Sequence, residues 1–514
     1  MHSLILPLLA VVLGNWTLQR EGATEIYPAT VPSTVAGVLA DNGIAVTDKA
    51  VFDDAWIYTC SFDLGKKDLA RHHRLRSDGL GYRADIRLNG ELIASADTTF
   101  GVLSVREWDV TGLLGRHNTL TVKVRRARSG DLNIGFVDWN PRPADESMGL
   151  VRDLQLLESG DVAIEDLFVK PEVDLGKGCA SIALTYTLKN FSGKRLSAVI
   201  RGTWAEGTFS VPVSLAAGER KTLTLTEDDC PALHCASPKL WWSREIGEPN
   251  LYTLESEIRC GKTVSDTKEV TFGLRKIESE IDAEGHRQFI LNGRKVLLKG
   301  GGWTDELNLR DTHASLEAQM AHVVNMGLNC NRFEHIWGKD SYIYDLCDRE
   351  GILALVGFSC QWEWEDYCGL PQSSRYGCIT DPASIDLAAR YFADQVRWLR
   401  NHPALIGWMT GSDRIPSPDL EKRYMAAYQE LDYRPYICSA KSLTSTYGGP
   451  SGTKMEGPYE YVFPDYWYLD TKNGGAFGFN TETGIGSNWP QLESLRRMVP
   501  AEADRWPLGA AYDR

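Results

Sequence analysis

ALIGWMTGSD, residues 404–413, decides how this chain is read. The run is apolar or small for six residues and then stops on Thr-Gly-Ser-Asp. A strand buried on both faces shows continuous apolar character rather than alternation. The carboxylate of Asp413 then falls at the C-terminal end of that strand. A parallel α/β barrel carries its reactive groups at that end. A second stretch of the same kind, AFGFNTETG at 476–484, ends near Glu482. Two carboxylates at the ends of two different buried strands are what a retaining glycosidase needs.

Outward from this strand, apolar segments alternate with helical ones. KVLLK (295–299) precedes a helix around 315–326, LNCNRF (328–333) a helix over 341–350, and ILALV (352–356) a long loop and a helix. That helix places Ile385, Ala388, Phe392, Val396 and Leu399 on one face, and Asn401-His402-Pro403 stops it. After the opening strand come a helix near 420–431 and three further strand candidates, YIC (436–438), YWY (466–468) and FGFN (477–480). A seventh helix is expected over 491–498. This rhythm predicts an α/β TIM barrel over residues 278–514. Seven strands are visible and no eighth before Arg514, so the barrel is expected to be C-terminally incomplete unless its last strand lies in the final dozen residues. An open barrel exposes two strand edges, a hazard for folding and solubility.

The chain before 278 reads as β throughout. WIYTCSF (56–62), RADIRL (83–88) and TLTVKV (119–124) alternate, and Asn89-Gly90 marks a tight hairpin. Residues 1–160 are expected to form an all-β jelly roll. Its late loop, GFVDWNPRP at 135–143, reads either as a surface turn or as an arm reaching a neighbouring domain's cleft. SIALTYTL (181–188), AVIRGT (198–203) and KTLTL (221–225) suit an immunoglobulin-like β-sandwich over 161–277, closed by FGLRKI at 272–277. The expected architecture is therefore multidomain: jelly roll, immunoglobulin-like sandwich, barrel.

Composition narrows the function classes. A length of 514 residues calls for two or three domains, and 43% apolar with 24% charged residues is ordinary for a globular protein. A net charge of −14 argues against a nucleic-acid partner. The eleven cysteines contain no CxxC, and no His pair follows Cys230 and Cys235, so neither a metal site nor a disulfide framework is expected. No cofactor is implied. The apolar run at 4–13 has the length of a signal-peptide core, but no Lys or Arg precedes it and no cleavage site is clear. A secreted or periplasmic location is the expectation, with no membrane span.

Retaining hydrolysis needs an acid beside the bridging oxygen and a nucleophile below the anomeric carbon, about 5–5.5 Å apart. Glu482 is the candidate nucleophile and Asp413 the candidate acid/base. The Glu482 charge opposes ionisation of Asp413 and keeps it protonated until the leaving group departs. Once Glu482 is esterified, Asp413 can serve as base toward water. The structural alternative is that each carboxylate caps a helix or makes an ion pair. Glu306, Glu334 and Glu365 also fall after strands. Surplus acid in a cleft suits a cationic substrate such as an amino sugar, unless Arg332 or Arg310 neutralises one of these groups.

Several motifs carry a resemblance. They are IGFVDW (134–139) with MGLVRD (148–153), GWTDELNLR (302–310), NRFE (331–334), GSD (411–413), SGTKMEGPYEY (451–461) leading to YWY (466–468), and FNTE (479–482). With this domain order the chain resembles glycoside hydrolase family two, and within it the exo-β-D-glucosaminidases that act on chitosan. Most barrels of that clan carry Asn-Glu at the acid position; the glucosaminidases are similar to this chain in having Ser-Asp. The resemblance implies Asp413 as acid/base and Glu482 as nucleophile. It implies Glu334 and Glu306 as contacts to the substrate's 2-ammonium, and Trp364, Glu365, Tyr466 and Trp467 as further substrate-binding positions. Asp305-Glu306 stands where the group has Pro-Asp, one methylene longer. The implied activity is removal of β-1,4-linked glucosamine from the non-reducing end of chitosan or chitooligosaccharides. A β-mannosidase, exo-acting or of the glycoprotein endo type, is the neighbouring alternative. A carbohydrate-binding protein without turnover is the alternative from another class.

Overall fold

The structure, a computed structural model, describes residues 13–46, 48–133, 140–335, 338–357, 360–484, 491–499, 505 and 507. Most of the 135–143 loop and of the 4–13 apolar run falls outside these residues. Among them, no helix is long and apolar enough to cross a membrane.

The N-terminal part is β-rich. A six-stranded sheet runs in the order Ile26–Ala29, Trp16–Arg20, Trp56–Asp63, His117–Arg125, Arg83–Leu88, Glu91–Ala94. A three-stranded sheet pairs His72–Ser77 with Leu154–Ser159 and Arg106–Asp109. Inward residues of both, among them Leu18, Tyr58, Ile86, Val122, Leu75 and Leu156, form one core. The Asn89-Gly90 turn has both residues at positive φ, 53° and 86°, the geometry that a two-residue hairpin loop requires.

Residues 162–272 build two further four-stranded antiparallel sheets around a second core. In Cys179–Asn190 burial alternates along the strand, as period-two side chains must when one face is covered. Phe272 ends a strand and Ile277 opens a separate three-stranded hairpin sheet (Ile277–Ile281, Arg287–Leu291, Arg294–Val296), so FGLRKI is a junction rather than one strand.

Then the topology changes to a parallel sheet of five strands in sequential order: β1 (Gly300–Trp303), β2 (Cys330–Phe333), β3 (Leu353–Gly357), β4 (Leu405–Met409) and β5 (Tyr436–Ile437). The helices between them are α1 (His313–Asn325), α2 (Tyr342–Glu350), the short α3 (Glu365–Cys368), α4 (Pro382–Leu399) and α5 (Pro418–Leu431). All five residues of β4 are buried, as its unbroken apolar run demands. Its entry is fixed by polar groups: Asp348 accepts from the Ala404 N–H at 2.8 Å, and buried Arg275 and Arg434 both donate to the Leu405 carbonyl. Asp381 caps α4 through the N–H groups of Ala383 and Ser384, with Pro382 at its first position. The outer side of α4 is bound to the N-terminal part. Val102 N–H donates to Tyr391 Oη at 3.1 Å, and Gln395 donates to the Leu103 carbonyl at 3.0 Å.

Three expectations are corrected. The first parallel strand is Gly300–Trp303, not 295–299; only Arg294–Val296 of that region is extended, and it pairs in the preceding hairpin sheet. The 466–468 segment is helical, α6 (Tyr466–Leu469), not a sixth strand. The 477–480 segment makes a single parallel bridge, Lys454 to Asn480, rather than a ladder. Among the described residues the parallel sheet therefore stops at β5.

Candidate active site

The C-terminal ends of β2 and β4 and the segment leading to Glu482 meet at one buried guanidinium. Arg332 lies on β2, where all four residues are buried. Its Nη1 donates to Glu482 Oε1 at 2.9 Å and to Glu334 Oε1 at 3.3 Å, and its Nη2 donates to Ser412 Oγ at 3.0 Å. Burial works against the charge on Arg332, but Glu334 and Glu482 outweigh it and hold the group above its ordinary pKa. Tyr459 Oη donates to the second oxygen, Glu482 Oε2, at 3.0 Å. Burial, then the charges of Glu482 and Asp413, push the Tyr459 phenol upward, so this phenol feels both carboxylates and stays a donor.

Asp413 follows β4 by four residues. Its backbone N–H donates to Glu363 Oε2 at 2.8 Å, and its Oδ1 stands 3.7 Å from Lys441 Nζ. The side chains of Asp413 and Glu482 keep 24% and 29% exposure, against 8% and 7% for Arg332 and Glu334. The proposed reacting pair is therefore reachable while Arg332 and Glu334 are not. Asp413, though not Glu482, also lines an open groove of about 880 Å³ with Arg375, Arg414, Lys441 and Lys454.

The other candidate residues are distributed around this centre. Glu334 joins the Arg332 cluster, with Cys360 Sγ 3.8 Å from its Oε2. Glu306 does not join it by hydrogen bonding. Its Oε2 accepts from the N–H groups of Asn308 and Arg310, 3.0 and 2.8 Å away, so it caps its own turn. Arg310 pairs with Asp41 instead. Trp364 stacks under the Arg414 guanidinium at 4.8 Å, beside Asp413. Glu365 is exposed at the start of α3 and accepts from Gln372 N–H. Tyr466 and Trp467 are half-buried neighbours on α6, with ring centroids 5.8 Å apart, and Tyr466 Oη accepts from Gly474 N–H.

Sequence reading offered Arg332 only as an internal neutraliser of a strand-end acid, which its pairing with Glu334 bears out, and it missed Tyr459 and Glu363. Arg332 stands inside the NRFE motif and Tyr459 inside SGTKMEGPYEY, but neither motif says that both side chains converge on Glu482. Glu363, between two tryptophans, is buried, and burial followed by opposing hydrogen bonds and the Asp413 charge leaves its carboxyl pushed up to about 7. Elsewhere Asp345, Asp348 and His402 cluster closely enough to ligate a cation. Asp348 is already committed to His402 Nδ1 at 2.6 Å and to Ala404 N–H, which makes this cluster a brace for β4.

Comparisons with known proteins fit this frame. Residues 16–153 match the family described as glycosyl hydrolase 2 galactose-binding domain-like, and residues 162–275 match glycosyl hydrolases family 2. The chain is 34% identical over 497 residues to the exo-β-D-glucosaminidase of Streptomyces avermitilis, covering 94% of this chain and 54% of the relative. It is 31% identical over 490 residues to that of Amycolatopsis orientalis, covering 92% and 46%. The solved structure of the Amycolatopsis orientalis exo-chitosanase superposes with a TM-score of 0.88 at 28% identity, covering 95% of this chain and 60% of that one. A β-D-mannosidase from Dictyoglomus thermophilum shares the fold, with a TM-score of 0.72 at 20% identity over 98% of this chain and 66% of that one. The chain spans about half the length of the curated relatives it matches. Residues 16–153 and 162–275 are thus similar to glycoside hydrolase family 2 domains, ahead of the parallel sheet, and the likeness to exo-β-D-glucosaminidases extends over nearly the whole chain.

Proposed function

We propose that the chain is a retaining glycoside hydrolase that removes β-1,4-linked D-glucosamine from the non-reducing end of chitosan or chitooligosaccharides. In this reading residues 278–514 form a TIM-barrel catalytic domain, preceded by a jelly roll over 1–160 and an immunoglobulin-like sandwich over 161–277. A polymeric substrate goes with a secreted or periplasmic location. The observation that carries the reading is the double hold on Glu482. Arg332 takes one oxygen and Tyr459 the other, and Arg332 also binds Ser412, the residue before Asp413. Both oxygens of Glu482 are thereby held and the group is oriented for attack on the anomeric carbon. As the carbon–oxygen bond breaks, Asp413 gives its proton to the bridging oxygen, and the sugar is left esterified to Glu482. Asp413 then takes a proton from water as that water displaces Glu482, which regenerates both groups. Glu334 is assigned to the substrate's ammonium. Glu306, Trp364, Glu365, Tyr466 and Trp467 are assigned to the walls around it.

The test is release of nitrophenol from β-glucosaminide, β-mannoside and β-galactoside. Release from the glucosaminide, abolished in Glu482→Gln, is expected. Release from the mannoside alone would replace this reading with the β-mannosidase one. Chitosan binding without product, unchanged in Glu482→Gln, would replace it with a binding protein.

A further inference from the structure

Glu363 ends the short turn Cys360–Glu363 after β3 and is 7% exposed. Its two oxygens divide two successive backbone donors between them. Oε1 accepts from Ser412 N–H at 2.7 Å and Oε2 from Asp413 N–H at 2.8 Å. Such a fork fixes the orientation of a peptide as well as its distance, and once the carboxyl is ionised its bonds are about twice as strong as neutral ones. The segment it grips has no slack. A Cβ on Gly411 would lie 2.3 Å from the Arg414 carbonyl oxygen, and Lys441 N–H holds the Ser412 carbonyl at 3.0 Å. Glu363 is equally confined from behind. A Cβ on Gly377 would lie 2.8 Å from its Cα, and the neighbouring Trp362 indole donates to the Asn133 carbonyl of the N-terminal part at 2.8 Å.

We propose that Glu363 is a positioning residue, whose carboxylate aims Asp413 at the bridging oxygen by clamping the backbone of Ser412 and Asp413. The proposal rests on the hydrolase reading above. It extends that reading by running a rigid line from the N-terminal β part, through Trp362 and Glu363, to the proton donor. Glu363→Gln keeps the shape but turns an amide N–H₂ toward one of the two backbone N–H groups, so the clamp opens on that side.

The readout is the dependence on leaving group. A dinitrophenolate departs without a proton, whereas a phenolate needs one from Asp413. In Glu363→Gln, kcat on the phenyl glycoside is expected to fall about 100-fold, the cost of a misplaced reacting group. The dinitrophenyl rate and KM are expected to change less than about threefold. Glu363→Asp, which keeps the carboxylate but withdraws it by one methylene, is expected to skew the same ratio in the same direction, and it carries the test if Glu363→Gln does not fold. Equal loss on both leaving groups, or no loss on either, overturns the positioning role and leaves the hydrolase reading standing. Wild-type protein that releases no phenol from any glycoside overturns both.

Discussion

Replacing Arg332 with Met removes the one cation shared by Glu334 and Glu482. Glu482 is partly open to water and can rehydrate. Glu334, 7% exposed, cannot rehydrate as readily, so on losing this guanidinium it either keeps its charge with less compensation or takes up a proton. Breaking a buried pair by deleting one member costs about 3–5 kcal/mol. Protonation sets a ceiling on that cost. Holding a carboxyl of unfolded pKa about 4.3 neutral at pH 7 costs about 3.7 kcal/mol, and at pH 5 only about 1 kcal/mol. The sign follows. A carboxyl whose folded pKa is raised binds more protons in the folded state, so the deficit of Arg332→Met grows as pH rises from 5 to 7. The double variant Arg332→Met, Glu334→Gln has no such group and is expected to lose about 1 kcal/mol at both pH values. Hydrogen exchange of peptides covering 328–335, followed against urea, reads the opening free energy of this strand without requiring the whole chain to unfold as one unit. A deficit equal at both pH values, or a double variant no more stable than the single one at pH 7, would refute the view that the arginine stabilises this strand by compensating the Glu334 charge.

Tyr459→Phe deletes one hydrogen bond to the proposed nucleophile at a position that is 56% exposed. Stability is expected to hold within about 0.5 kcal/mol, while kcat falls about 10–100-fold, the worth of a bond to a charged group; thermal melts and steady-state rates check the pair. Glu334→Gln removes a charge assigned to the substrate's ammonium. The kcat/KM ratio of glucosaminide to glucoside is expected to fall by about tenfold or more, measured on matched nitrophenyl substrates, and an unchanged ratio would unseat the assignment. Burial raises the Glu363 carboxyl from 4.5 to about 7, so the folded state holds the extra proton across that window. Wild-type stability should therefore decline as pH rises from about 4.5 to 7, by up to about 3 kcal/mol, and Glu363→Gln should flatten that slope in urea titrations at successive pH values.

What the sequence made legible was whatever a local period encodes. The unbroken run of β4 is buried at every position, and Ile385, Ala388, Phe392, Val396 and Leu399 are all buried along α4. The misplaced first strand shows where a period misleads. KVLLK looks like a strand, yet Leu297 is 76% exposed. Gly300, Gly301 and Gly302 present no side chains from which a period can be read. What selects Gly300 is closeness to β2, where a Cβ would lie 2.5 Å from the Cys330 carbonyl oxygen. The aromatic run 466–468 has strand propensity, but Tyr468 and Leu469 are 83% and 73% exposed, so no packing enforces it. The acids of the site were visible as residues at strand ends. Their partners were not, because Arg332 meets Glu482 across 150 residues and Glu363 meets Asp413 across 50. Pairings over such separations follow from the closed fold and from no local pattern.

The charge arrangement around β2 and β4 bears on which sugar this centre would hold. Arg332 contributes one positive charge between Glu334 and Glu482, so with both ionised the cluster keeps a net negative charge before Asp413 is counted. Lys441 stands against Asp413 at 3.7 Å, on the groove side rather than beside Glu334. A neutral hydroxyl could hydrogen-bond to Glu334 but would leave that excess in place. An ammonium would supply the missing charge where Arg332 is already shared between two acids, and charge-assisted bonds favour it over a hydroxyl at the same distance. Arg332 then has two tasks that pull apart. In the proposed reading it would orient Glu482 for attack while leaving Glu334 charge with which to meet an amine. The distances fit that division, 2.9 Å to Glu482 and 3.3 Å to Glu334 through the same nitrogen, with the tighter bond on the proposed nucleophile.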